Sequence, residues 1–508
     1  MGQLLSYAIQ IGSRAAGLLT RRATTRNRVA SARPCAVGPE THRAVLAVAI
    51  ALAAFFAHGP AWAAAPAPDA STPAPLPAAP AAVGDGPAIL RSFFAEADAA
   101  KRADLAARFA AVAPKSWADL KAMLHASAPR PALPAGRQDL QAPAEGETPP
   151  VRYILRVPAG YAADASRGWP LVIACHGTGG HAEGALASIE SWLGPDIESY
   201  LVVAVDSPEA GVFEPKRVNM EYPLAVLADV RRRANVDSDR TVLTGFSKGG
   251  YTTWATVLFS PGEWGGAAPM ACCPMTEAAA AGAILYLPNV LGLAIQHHWG
   301  ANDIEAGQKE GINTLSRDVA AEMKRLGAKR FEGIEYPGEG HDLKIDTARF
   351  REFARTARRE AFPAECHLIF HALWQGRDYY VRATAAAKAD FNFRAPYTVK
   401  TTRPVMDPRK FKRDFLLGEA FELTARMPPG GNMIAVMAKG VREVEVELSA
   451  EKLDFARPVR VTLNTRTALD GPRKVDWLEL LETARRTGDF ERLVAGRVKA
   501  TVAGAKTP

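Results

Sequence analysis

The sequence predicts an α/β protein: a mostly parallel sheet with helices on both faces, preceded by a short helical segment and followed by a β-rich, sandwich-like domain. Three observations carry this. Over residues 151–361, apolar runs of strand length alternate with amphipathic stretches of helical period, the arrangement that lays parallel strands between layers of helix. Before that block, apolar residues recur at helical spacing between two Pro-rich stretches. After Phe362 the helical period gives way to short apolar runs broken by turn residues such as Pro429-Gly430-Gly431.

Taken in order, the chain opens with Arg43 ahead of an apolar run at 44–57, then Gly59-Pro60 and the small-residue site Ala61-Trp62-Ala63. This reads as a secretory signal over residues 1–63 and implies an exported product, periplasmic or secreted. The run of 14 residues is short of the roughly 20 that cross a bilayer, so no stable membrane span is expected after signal cleavage. The long stretch before the run suggests a translation start later than Met1, for example at Val29 or Val37. Residues 64–88 are a Pro/Ala linker with nothing to build a core from. Residues 89–127 space Leu90, Phe93, Phe94, Leu105, Phe109, Trp117, Leu120 and Met123 as two or three short helices. Residues 128–150 read as a second linker.

In the catalytic block, strands are expected at 152–157, 170–175, 200–205, 240–244, 266–270, 293–298 and 333–336. Helices are expected at 224–233, 250–258, 312–326 and 347–360. The β-rich domain, residues 362–508, has strand candidates at 367–374, 379–383, 420–426, 432–438, 444–448 and 459–463. A helix at 477–487 closes it. Sheets of the first kind carry their sites at the carboxyl ends of the strands.

Charge and cysteine content narrow the function classes. The 508 residues carry 62 Lys and Arg against 54 Asp and Glu, a net +8. Residues 1–63 hold seven arginines and a single acid, Glu40, which leaves 55 basic against 53 acidic residues in the rest. A body this close to neutral lacks the basic face that a nucleic-acid partner requires. Cys175, Cys272, Cys273 and Cys366 remain once Cys35 leaves with the signal, too few for a disulfide scaffold. Cys175 and the Cys272-Cys273 pair fall on or just after central strands, where buried free thiols are expected.

The chemistry centres on Thr244-Gly245-Phe246-Ser247-Lys248-Gly249-Gly250, which follows a strand and precedes a helix. A turn this tight strains Ser247, and side chains at Gly245 or Gly249 would strike neighbouring backbone. Serine attacks a carbonyl only if a base takes its proton. His341, in Gly338-Glu339-Gly340-His341-Asp342, lies just past the last strand of the block. Asp303, in Gly300-Ala301-Asn302-Asp303, lies just past an earlier one and can hold the imidazole tautomer. Asp342 is the alternative acid. Two backbone N–H groups complete an oxyanion hole: that of Lys248, at the helix start, and that of Thr178 in His176-Gly177-Thr178-Gly179-Gly180, with Gly177 next in line. The Lys248 side chain is expected to be solvated, and His176 to be a structural residue of its loop.

Residues 151–360, about two fifths of the chain, resemble the α/β-hydrolase superfamily. Within it they are similar to exported esterases such as feruloyl and acetyl-xylan esterases and polyhydroxybutyrate depolymerases, through the segment from Val236 to Gly250. The resemblance extends less specifically to prolyl-oligopeptidase-like catalytic domains. It implies a serine hydrolase of carboxylic esters acting on a small-molecule or polymer-linked ester, with no cofactor and no metal. A serine peptidase is the alternative, and an inactive polymer- or carbohydrate-binding protein the third. His297 and His298 are strand neighbours whose side chains point to opposite faces, so they cannot share one metal. Trp299 is expected to be buried rather than to stack on substrate. The site is expected to be an open cleft without a lid domain, lined by residues 206–222 and 272–281.

Overall fold

The computed structural model describes residues 85–146, 148–208, 217–274, 284–304, 311–391 and 407–502. The signal at 1–63 and nearly all of the first linker lie outside the described residues. Three helices open the described chain: α1 (Gly86–Ala95), α2 (Ala99–Val112) and α3 (Trp117–Ser127). Their boundaries follow from capping. Asp98 accepts a hydrogen bond from the Lys101 N–H at the start of α2, and Ser116 accepts from the Asp119 N–H at the start of α3.

The stretch read as a second linker contains a strand, β1 (Gly136–Ala142), paired antiparallel with β2 (Val151–Val157). Its sequence, Gly-Arg-Gln-Asp-Leu-Gln-Ala, carries almost no apolar alternation because β1 is an edge strand exposed along most of its length. Its pairing with β2 is what orders it. There follow β3 (Trp169–Cys175), α4 (Ala182–Leu193), β4 (Leu201–Val205), α5 (Arg217–Arg233), β5 (Val236–Phe246), α6 (Lys248–Phe259), β6 (Gly266–Met270), β7 (Ala294–Gly300), α7 (Ile312–Arg325), β8 (Phe331–Tyr336) and α8 (Thr347–Thr356).

Strands β1 to β8 form one sheet in the order β1-β2-β4-β3-β5-β6-β7-β8. Strands β1 and β2 run antiparallel to their neighbours, and all pairings from β4 to β8 are parallel. Strands β4 and β6 are buried at every position because helices cover both faces; that is why their sequences read as unbroken apolar or small residues. Leu186, Ile189 and Leu193 of α4 pack with Phe350 of α8 on one face, and Val226 and Val230 of α5 pack with Trp254 and Leu258 of α6 on the other. This is the α/β-hydrolase fold, with β5 running straight into α6 through Ser247.

Beyond α8 come β9 (Glu365–Phe370), β10 (Arg377–Asp378), β11 (Val381–Ala386), α9 (Pro408–Glu419), β12 (Phe421–Arg426), β13 (Met433–Lys439), β14 (Val441–Leu448), β15 (Val459–Leu463), β16 (Arg466–Gly471), α10 (Trp477–Thr487) and β17 (Gly496–Thr501). They make a four-stranded sheet, β10-β11-β14-β17, and a five-stranded one, β16-β15-β13-β12-β9. Alternate residues such as Leu423, Val436, Val461, Val444 and Val498 turn inward from the two sheets into a shared core.

The helical segment and the sandwich are not beads beside the central sheet. Leu480, Leu481 and Ala484 of α10 pack with Leu90, Phe93, Phe109 and Leu124 of the first three helices. Phe370 and Tyr380 belong to the same core as Tyr286 and Trp254. Among the described residues no helix is long and apolar enough to cross a membrane.

Candidate active site

Ser247 sits between β5 and α6 with φ 53° and ψ −117°. A non-glycine residue held there costs about 1–3 kcal/mol. The surroundings enforce it: the Ser247 N–H donates to the Met270 carbonyl at 2.9 Å, and the Ser247 carbonyl accepts from the Tyr251 N–H at 2.9 Å. The flanking glycines are required by space. A Cβ at Gly245 would lie 2.3 Å from the Gly249 oxygen, and one at Gly249 would lie 2.0 Å from the Cys175 oxygen.

His341 and Asp303 converge on this serine from two loops at the same sheet edge. His341 Nε2 is 2.9 Å from Ser247 Oγ, and His341 Nδ1 is 3.0 Å from Asp303 Oδ2. The Asp303 side chain is fully buried and the His341 side chain is 20% exposed, so the chain of contacts runs from the interior outward to the serine. Asp342, the alternative acid, is exposed and is not the carboxylate bonded to His341 Nδ1. The His341 ring also packs edge-on against Phe246, with centroids 5.6 Å apart.

Two residues that hold this geometry have no role in the sequence reading. Gly300 ends β7, and a Cβ there would lie 2.2 Å from the Gly340 oxygen, so only glycine lets the histidine loop seat against the acid loop. The Asn302 N–H then donates to the Glu339 carbonyl at 2.9 Å. Asn313, at the start of α7, holds the other side: its backbone N–H donates to the Asp303 carbonyl at 2.9 Å and its Nδ2 to the Ala301 carbonyl at 2.8 Å. A glycine at the strand end three residues before the acid was the available signal. Asn313 had none.

The expected oxyanion loop lies beside the elbow. A Cβ on Gly177 would be 3.5 Å from the Ser247 Cβ, while Thr178 occupies the exposed second position of a turn closed by the Gly180 N–H on the Gly177 carbonyl at 3.1 Å. Gly179 takes φ +72° in that turn. His176 Nδ1 donates to the Gly177 carbonyl at 2.7 Å and its Nε2 accepts from the Ser207 N–H at 3.0 Å, which fixes its ring as a structural part of the loop. Lys248 begins α6, where the first N–H groups have no partner inside the helix. Its side chain is 5% exposed, so the expectation of a solvated lysine is corrected. Position one of a helix packed on the central sheet leaves it no outward path, and it lies close enough to Cys175 to favour that thiolate electrostatically.

The other flagged residues have structural places. His297 and His298 are fully buried and bonded apart: His297 Nε2 donates to the Cys272 carbonyl at 2.9 Å, and His298 Nε2 donates to Gln296 Oε1 at 3.0 Å. Burial lowers them to about 4 and about 3. Trp299 is buried against His297. Cys175, Cys272, Cys273 and Cys366 are free and buried, and burial raises all four thiols. Among the described residues no three His, Cys, Asp or Glu side chains are grouped to hold a metal. Of the expected cleft walls, residues 209–216 and 275–281 lie outside the described residues, and Arg217 to Tyr222 belong to α5.

No family model matches the chain, and no curated protein matches it. Among solved structures, a thermostable esterase is 19% identical over 44% of this chain and 63% of its own, with a TM-score of 0.34. The acetyl xylan esterase from Aspergillus awamori is 13% identical over 44% of this chain and 99% of its own, with a TM-score of 0.33. Poly(aspartic acid) hydrolase-1 from Sphingomonas sp. KT-1 is 12% identical over 44% of this chain and 99% of its own, with a TM-score of 0.34. At these identities and scores the likenesses add nothing to what the sheet order and the elbow establish.

Proposed function

We propose that the protein is an exported serine hydrolase that cleaves carboxylic esters through an acyl-enzyme on Ser247. The observation that carries this reading is the unbroken path Asp303 Oδ2, His341 Nδ1, His341 Nε2, Ser247 Oγ, with links of 3.0 and 2.9 Å. Export is supported by the apolar run and cleavage site at residues 44–63.

In this reading His341 Nε2 takes the Ser247 proton as Oγ attacks the ester carbonyl. Asp303 keeps the other imidazole proton on Nδ1 and stabilises the imidazolium that forms. The tetrahedral oxyanion is received by the Lys248 N–H and by an N–H of the Gly177-Thr178 turn, each donor contributing about 3 to 4 kcal/mol to the barrier's reduction. The imidazolium then protonates the alcohol as the C–O bond breaks. Water, deprotonated by the same histidine, attacks the acyl carbonyl and releases the acid and free Ser247.

A fluorophosphonate probe should label Ser247 in the mature protein and leave Ser247→Ala unlabelled. Turnover of p-nitrophenyl acetate with no cleavage of aminoacyl anilides supports the esterase; the reverse makes it a peptidase. A folded protein silent to probe and both substrates overturns the reading in favour of a binding protein.

A further inference from the structure

A cavity of about 690 Å³ lies away from the triad. It opens between α5, the far end of α6 and the β-rich part, bounded by Phe259, Ser260 and Glu263 at the end of α6 opposite Ser247. A 12-residue helix separates the two places, about 18 Å along its axis.

Its wall carries more guanidinium donors than its acids consume. Arg231, with a side chain 5% exposed, bonds Glu263 through Nη1 at 2.8 Å and lies 3.7 Å from Asp489 through Nη2, and its Nε and Nη2 are shielded from the cavity space. Arg377 comes no closer to an acid than 3.9 Å, from Glu263, and keeps 44% of its side chain exposed. Arg486, exposed on α10, makes no hydrogen bond or ion pair among the described residues. Glu263 also serves Arg492, at 3.3 Å, and Asp489 is taken up by a two-bond pair with Arg359 at 2.7 and 2.9 Å. The accessible donors left over, on Arg377 and Arg486, face one space. A planar oxyanion accepts from two guanidinium N–H groups at once.

We propose that this cavity is a second binding site, separate from the triad, for a small organic anion held through phosphate or carboxylate oxygens by Arg377 and Arg486.

Isothermal titration of pyrophosphate and of citrate into the full chain, with ionic strength balanced by chloride, tests it. Saturable one-site binding of either probe is expected, and the probe that binds says whether phosphate or carboxylate is the recognised group. Arg377→Ala/Arg486→Ala removes two exposed side chains, so it should melt like the parent while binding weakens by at least about tenfold. Arg486→Ala alone should weaken binding less, and Ser247→Ala should bind as the parent does, which keeps this result independent of the hydrolase reading. Absence of saturable binding by both probes overturns the proposal. So does a double variant that binds within about twofold of the parent.

Discussion

Asp303→Asn separates the triad geometry from other ways of explaining a serine beside a histidine. The carboxylate is fully buried, 3.0 Å from His341 Nδ1. At that distance and an effective dielectric of about 20, it stabilises an imidazolium by about 5 kcal/mol. The amide has no charge to offer, and it can present an N–H where an acceptor is needed, which places the histidine proton on the nitrogen that should take up the serine's. A barrier raised by about 5 kcal/mol slows kcat by about 10⁴. KM should change little, because Asp303 touches the histidine and not the substrate. The assay is steady-state hydrolysis of p-nitrophenyl acetate by parent, Asp303→Asn and Asp342→Asn, with circular dichroism to show that each is folded. The exposed Asp342 should be dispensable. An Asp303→Asn enzyme that keeps more than about a tenth of the parent kcat, or an Asp342→Asn enzyme that loses as much as Asp303→Asn, would refute the assignment.

Two further outcomes follow from packing and burial. Gly249→Ala places a Cβ 2.0 Å from the Cys175 oxygen, a backbone clash that no rotamer relieves; urea melts should show destabilisation of more than about 3 kcal/mol or no soluble protein, and a fully stable variant would contradict the elbow geometry. Stability should also fall in acid. Burial holds His297 at about 4, below the ordinary 6.5, so its neutral form belongs to the fold and the unfolded chain takes up a proton that the fold refuses. That contribution, about 3 kcal/mol, is complete above pH 6.5 and lost as pH falls towards 4. Burial alone would raise the Glu263 carboxyl, but Arg231, Arg492 and Arg377 outweigh it and hold it at about 2. Its contribution is present above 4.5 and lost as pH falls towards 2. Urea midpoints equal at about pH 7.5 and about pH 5 would show that His297 is not held neutral by the fold.

What the sequence disclosed was local. Gly245-Phe246-Ser247-Lys248-Gly249 announces its turn because the steric demand falls on residues adjacent in the chain, and the apolar runs of β3, β4 and β6 announce buried strands because both faces are covered. The Asp303 and His341 loops were legible as strand ends within the α/β order. What stayed hidden depends on distant partners. β1 is ordered by seven register pairs with β2 rather than by any pattern of its own. The burial of Lys248 depends on what packs over the start of α6, and the reach of Asn313 to Ala301 and Asp303 depends on how α7 docks. The N-terminal helices looked like a separate segment because their partner, α10, lies more than three hundred residues downstream.

The strain at Ser247 offers a test that does not pass through catalysis. At φ 53° a Cβ is penalised and a glycine is not. Ser247→Ala and Ser247→Gly both remove Oγ and its 2.9 Å contact with His341 Nε2, so the two variants lose the same side-chain interaction. They differ in the Cβ. Alanine keeps the strain of the native turn, and glycine releases it. Glycine also gives the unfolded chain more freedom, an opposing effect of about 0.4–1 kcal/mol. With the strain at about 1–3 kcal/mol, release wins, and Ser247→Gly should be the more stable of the pair by about 1 kcal/mol. Paired urea melts at one pH measure the difference. Equal midpoints, or a more stable alanine variant, would mean that the elbow is unstrained, and a serine held without strain would need another explanation for the two glycines that flank it.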